Sequence, residues 1–261
     1  MIGRYSRLYL LLLKSCWMKT LEYRVDFIST LIHTMSYSLG YILFLNIIMS
    51  KIPNIIGWTH SQMIMFFSLE QLSYYLSWFW FRNSIDVFCN SVRDGEFDYV
   101  IKYPVNLRFF VTFKVQDLNV FFPIFLPLTL FIYGLIQNPI SLGNFILGLI
   151  LFLLGFIIYY NIFFAVSALT FWFTDMAEAI GLIDELQTYS SYPKEVYPGP
   201  IAFLLLTIFP AMLFVYVPVQ AFIGLATPGL VILSLIATLI SFYLSQAIWR
   251  RGLRHYSSAS S

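Results

Sequence analysis

The sequence predicts an all-α integral membrane protein with six transmembrane helices, an N-terminal interfacial amphipathic helix, a cytoplasmic helical insert and an extracellular re-entrant hairpin. Three observations carry the prediction. Of 261 residues, 59% are hydrophobic and only 11% charged, an apolar share well above the roughly one half usual for soluble domains. Several apolar runs approach or exceed the roughly 20 residues that a helix needs to cross a bilayer, and the strand alternation of a β-barrel is absent. Six crossings from a cytoplasmic start leave only Lys51 and Lys194 outside, out of 15 Lys and Arg. That bias places both termini inside, and it counts 175–191 as a crossing, since dropping it would put Arg250, Arg251 and Arg254 outside. The formal charge of +2, with its basic residues dispersed, excludes nucleic acid as a partner.

Taken in order, residues 1–23 have a basic start and a short Leu run but no small-residue cleavage site, so no signal peptide is expected. At about 100° per residue, Arg4, Arg7 and Lys14 share one face and Tyr5, Tyr9, Leu12 and Cys16 the opposite one. This is the pattern of a helix lying on the cytoplasmic leaflet. The first span, near 25–49, carries Asp26, His33 and several hydroxyls that suit close helix packing. His33 reads as a hydrogen-bonded packing residue, because no second His or Cys stands at metal-ligand spacing. Pro53 and Gly57 turn the chain outside. The second span, 62–81, ends in Trp78, Trp80 and then Arg82, an interface anchor set. Glu70 at its middle is expensive in lipid and is expected to face the bundle interior, with Gln71 or a first-span hydroxyl as partner.

Residues 83–106 have soluble character and read as a cytoplasmic helix, a break at Asp94-Gly95, and a short amphipathic piece stopped at Pro104. The third span, 109–136, opens with Lys114 and Asp117 and is expected to kink at Pro123 and Pro127. The fourth, 144–173, has a smooth packing strip at Gly148 and Gly155. The fifth, 175–191, is acidic: Glu178 and Glu185 share a face with Leu182 between them, and Asp184 points about a quarter turn away. Residues 192–222 are apolar yet hold Pro193, Pro198, Pro200, Pro210 and Pro218. A straight spanning helix cannot accommodate that many, so this stretch predicts the re-entrant hairpin. The last span is 229–249, followed by arginines and a tail, SSASS, expected to be disordered.

No P-loop, HExxH, CxxC or GxSxG pattern occurs, and His33, His60 and His255 lie in separate regions. The chain is therefore not expected to be an enzyme, to bind ATP or to hold a metal. Cys16 and Cys89 fall on the reducing side, where a disulfide is not expected.

The amphipathic start, the six spans, the insert RDGEFDYVIKYPVN, the segment SYPKEVYPGP, the later FP and VP pairs and the closing WRRGLRHYSS together resemble the ABC-2 type permeases, transmembrane subunits of bacterial ABC exporters. The likeness covers nearly the whole chain. It implies a single permease domain over 1–261 in the bacterial plasma (inner) membrane, and a dimer with a second permease, identical or homologous. It also implies two copies of a separate ATP-binding subunit, which would carry the ATP and Mg. By the same likeness Ser84, Asp86, Arg93, Asp94, Gly95, Glu96 and Asp98 form the ATPase-coupling region. Pro193, Tyr197, Pro198, Pro210 and Pro218 belong to the hairpin that closes the exit, and the acidic fifth helix lines the dimer interface. Lys194-Glu195 departs from the pattern, placing charges where mostly apolar residues are expected.

The functional expectation is export of a small or amphipathic substrate, with multidrug efflux as its type. Glu70, Glu178, Asp184, Glu185, Tyr189 and Tyr192 are the candidate pathway residues, giving an acidic lumen with aromatic faces for a cation. Two other readings remain open. One is an ATP-independent carrier or channel using the carboxylates as an ion relay, although no internal repeat supports it; the other is a non-transporting membrane scaffold.

Overall fold

The computed structural model describes residues 2–22, 24–51, 57–173 and 176–256. The readings made above for Pro53, Asp175, the SSASS tail and the Asp26 side chain fall outside the described residues. The regular structure of the described residues is helical: α1 Ile2–Glu22, α2 Arg24–Lys51, α3 His60–Ser77, α4 Asn83–Arg93, α5 Phe97–Ile101, α6 Leu107–Phe113, α7 Phe125–Gln137, α8 Leu142–Ser167, α9 Ala177–Thr188, α10 Gly199–Thr207, α11 Tyr216–Phe222 and α12 Pro228–His255. Among the described residues, α2, α8 with its 3₁₀ extension to Phe171, and α12 are long and apolar enough to cross a membrane. The α10 and α11 pair, bent by 69°, adds a fourth candidate as a broken span or a re-entrant loop. α7 and α9 are shorter: the 12 residues of α9 rise about 18 Å against a hydrocarbon core of about 30 Å.

The core is built around α8. Its glycines are the reason the proline-rich segment can pack so closely. A Cβ on Gly155 would stand 2.4 Å from the Leu213 carbonyl oxygen, and one on Gly148 would stand 2.5 Å from the Phe222 ring. The backbone around Leu213 and the α11 ring therefore fill the space that side chains would have occupied. Residues 211–222 are buried almost without exception, which is how non-helical backbone at Pro210 and Val215 is kept from lipid. Pro200 and Pro218 sit in the first turns of α10 and α11, where a missing N–H interrupts no helix bond.

Three sequence expectations are revised. The third span is interrupted rather than kinked: α6 ends at Phe113, residues 114–124 form a turn-rich connection with a 3₁₀ turn at Leu118–Val120, and α7 restarts at Phe125. The prolines account for the restart point, with Pro123 just outside α7 and Pro127 in its first turn. The second span does not stop at Arg82; the helix runs on through a π-helical stretch, Trp78–Arg82, into α4. Arg82 is also not an interface anchor, because it is 6% exposed and faces inward. A π turn inserts one residue and rotates the helix face that follows, which carries a residue expected at the surface toward the interior.

At the opposite end from the α10–α11 pair, α4, α5, the end of α8 and the end of α12 share an aromatic cluster. Phe88 packs on Phe97, Phe171 and Trp249. The Tyr256 hydroxyl donates to Asp98 at 3.0 Å, and burial followed by the neighbouring Asp98 carboxylate pushes that phenol up to about 12. α1 lies across the same end. Its Tyr5 packs edge-on against Phe109 and Tyr9 against Phe113, and Arg4 donates to the Pro104 carbonyl.

Candidate functional site: a polar cavity between α2, α3 and α9

Helix α3 begins with a capping box, in which the Thr59 side chain accepts from Gln62 N–H and the Gln62 side chain accepts from Thr59 N–H. From that fixed start the helix carries Glu70, Gln71, Tyr74 and Trp78 down one side of a cavity of about 400 Å³. Thr30, His33, Thr34 and Tyr37 of α2 form the second wall. Asp184, Gln187 and Thr188 of α9, with Ser191 and Asp117, complete it. The small hydroxyls Thr30 and Thr34 on α2 line this open space rather than the close helix contact expected of them from the sequence.

Glu70 is buried, and Gln71 Nε2 donates to its Oε2 at 2.7 Å. This is one of the partners expected from the sequence. Among the described residues no cation pairs with Glu70, so its carboxylate is an acceptor turned to the cavity.

Asp184 is engaged differently. Arg82 grips it with two donors, Nε to Oδ1 at 3.2 Å and Nη2 to Oδ2 at 2.5 Å, while Arg82 Nη1 pairs with Asp86 one turn along. The Phe163 ring covers the guanidinium at 4.5 Å and Trp78 at 5.0 Å. This bidentate fork, desolvated between rings, is the strong form of a carboxylate–arginine contact. Tyr159 adds a long contact to Asp184 at 3.5 Å.

The other candidate pathway residues are placed apart from the cavity. Glu178 and Glu185 are exposed with Leu182 on the outer side of α9, while Ile180, Ile183 and Gln187 turn inward. Asp184, and not these two glutamates, is the acidic-helix carboxylate that lines the cavity with Glu70. Tyr189 and Tyr192 are also exposed. Tyr197 donates to the Tyr189 carbonyl at 2.8 Å, so that pair braces the loop into the hairpin.

The coupling group divides in the same way. Arg93, Asp94 and Glu96 are exposed, Arg93 pairs with Asp94, and Gly95 takes the positive φ of 77° that the turn between α4 and α5 requires. Asp98 holds Tyr256, and Asp86 holds Arg82. Ser84 is 1% exposed, donating to the Val111 carbonyl and accepting from Val115 N–H; it fastens α4 to the chain beyond α6 and presents nothing at the surface.

Sequence reasoning missed Arg82, His33 and Glu195. The signal for Arg82 was a basic residue closing the aromatic run WFWFR, about three turns past the middle of a span. His33 lines the cavity with the hydroxyls of α2 instead of serving only as packing. Glu195, the charge that departed from the hairpin pattern, accepts from Trp58 Nε1 at 3.1 Å and from the Tyr216 hydroxyl at 2.8 Å. It ties the turn before α3 to the start of α11.

No curated protein and no solved structure matches the chain. A family model described as ABC-2 family transporter protein matches residues 35–260, a range that takes in the α3 and α9 walls of the cavity and the α10–α11 pair but begins after Thr30, His33 and Thr34 of the α2 wall. An all-helical membrane bundle with this match across most of its length is a transport permease, and the chain belongs to the ABC-2 transporter family.

Proposed function

We propose that the chain is the membrane subunit of an ATP-driven exporter in a bacterial inner membrane, and that the cavity between α2, α3 and α9 receives an amphipathic cation. The observation that carries the substrate class is Glu70. A buried carboxylate without a cationic partner, beside hydroxyl and tyrosine side chains, is an intramembrane acceptor that gains most when a positive group arrives. Tyr37, Tyr74 and Trp78 on the same walls supply faces for that charge. Asp184 is already neutralised by Arg82 and shapes the floor of the cavity.

The energy source lies outside this chain. The family membership supports an ATP-binding partner in general, and the exposed turn Arg93–Glu96 between α4 and α5 is the surface offered to it. Two such ATPases and a second permease, identical or homologous, complete the transporter. Movement of the turn is transmitted along the unbroken helix from α4 through Arg82 into α3, so that docking at one end and the cavity at the other share one rigid element.

Two measurements test this together. In cells carrying the transporter with its ATPase, Glu70→Gln lowers efflux of a cationic dye about tenfold while efflux of a neutral dye is spared; equal loss of both discards the cation reading. Separately, the ATPase co-purifies with the chain and is lost on deleting 94–98. Retention after that deletion discards the docking turn.

A further inference from the structure

A second cavity, of about 650 Å³, opens at the end of the bundle that carries α1, and its walls differ in kind from those of the first. Among the described residues it is lined mostly by rings, such as Trp80 and Phe156, with Ile157, the polar Asn106 and Thr112, and one charged residue, Arg108. We propose that this cavity binds an anionic phospholipid, its acidic headgroup at Arg108 and its acyl chains along the rings.

Every hydrogen-bond partner of Arg108 is neutral: Nε donates to the Tyr160 hydroxyl at 3.2 Å, Nη1 to Gln246 Oε1 at 2.8 Å, and Nη2 to Asn161 Oδ1 at 2.8 Å and Ser245 Oγ at 2.7 Å. Phe164 lies under it at 4.5 Å. Among the described residues no carboxylate pairs with it. The contrast with Arg82, which holds two aspartates, is informative: both arginines are clamped between rings, yet only one is electrically balanced by the chain. A permanently charged group in such a place favours an anion. One of its five N–H bonds is still unused by these partners.

The location selects a lipid over a free ion. α1 roofs the cavity through Tyr5, whose hydroxyl accepts from Asn106 N–H at 3.1 Å. The opposite face of α1 carries Arg4, Arg7 and Lys14, all exposed. A helix with one aromatic and one basic face lies at headgroup depth. Trp80 and Ile157 are both about 40% exposed at the cavity edge, so the opening is lateral, toward acyl chains. Basic pockets between helices at this depth suit acidic headgroups. This inference does not rest on the exported substrate or on the ATPase.

Trp80 lines the cavity and supplies the readout. The transporter is placed in nanodiscs containing either phosphatidylglycerol or phosphatidylcholine with brominated acyl chains, and the Trp80 contribution to fluorescence is isolated by difference from Trp80→Phe. Quenching of that component is expected to reach half its maximum at about fivefold less phosphatidylglycerol than phosphatidylcholine, the scale of one basic residue acting on an acidic lipid. Arg108→Lys keeps the preference and Arg108→Gln removes it. Because Arg108→Gln also removes several hydrogen bonds and can fail to fold, Ile157→Phe provides an independent arm: it narrows the cavity with Arg108 intact and weakens quenching by both lipids. Equal half-points for the two lipids in the unaltered protein overturn the proposal. So does Ile157→Phe quenching like the unaltered protein, or reversal of the lipid preference by soluble glycerol phosphate.

Discussion

Arg82 determines how three elements meet, because its fork holds Asp184 of α9, its second terminal nitrogen holds Asp86 of α4, and its own backbone lies in the π turn that joins α3 to α4. Removing the arginine strands two carboxylates that are each about one third exposed, at 35% and 32%. Their partial solvation moderates the loss, so Arg82→Met is expected at the low end of the roughly 3–5 kcal/mol seen when one partner of a buried pair is deleted. Asp184→Asn should be milder, since Asp86 still balances the arginine and the amide still accepts a hydrogen bond. Thermal unfolding of detergent-purified variants checks the order, with Arg82→Met having the lower Tm. The reverse order would show that Asp184 has a partner more important than Arg82. At this scale the sequence revealed the inward placement of Glu70 and its Gln71 partner, because a lone carboxylate in an apolar run has one sensible destination. It concealed Arg82, because a basic residue after two tryptophans reads equally as an anchor, and only the π turn reveals that it faces inward.

Among the elements, α8 and the hairpin show where a sequence pattern carries tertiary information. Gly148 and Gly155 are seven apart and so share a helix face; the smooth strip they predicted is the surface on which 211–222 packs. Backbone cannot yield as a flexible side chain can, so Gly155→Ala, with its Cβ 2.4 Å from the Leu213 carbonyl oxygen, should lose about 1–3 kcal/mol through overpacking. Gly181→Ala in α9 meets nothing within 4 Å and should be neutral or gain up to about 1 kcal/mol from helix propensity. Heating each variant and following the soluble fraction by size-exclusion separates the two outcomes; a Gly155→Ala protein as stable as the parent would show that the hairpin is not seated on α8. The third span was less legible. Two prolines near its centre signal a disturbance, but whether a helix bends or stops depends on what satisfies the freed backbone. Here the connection 114–124 finds partners outside its own helix, including Ser84 Oγ for Val115 N–H and Cys16 Sγ for Gln116 N–H. Those partners come from α4 and α1, and no local pattern announces them.

For the molecule as a whole, the unfinished surface is the outer side of α9. Glu178 and Glu185 stand on it with Leu182, which is 58% exposed, in a protein whose remaining exterior is dominated by Leu, Ile and Phe. Two carboxylates on such a surface are stable only in water, among headgroups or against another protein, and the helix that carries them packs against α8 and is gripped at Asp184 by Arg82 of the π turn. A twin subunit covering this side would shield the carboxylates from acyl chains and would bring two copies of the Glu70 cavity close to one shared seam. In membranes, Leu182→Cys is therefore expected to form a disulfide-linked species of twice the chain mass on mild oxidation. Ile136→Cys, at 76% exposure on the end of α7, is the matched control and should stay monomeric, as should the parent, whose Cys16 is buried and Cys89 half-buried. Equal cross-linking at both positions would reflect random collision. Cross-linking at Ile136→Cys alone would move the seam to the other side of the bundle, leaving Glu178 and Glu185 to be explained by water.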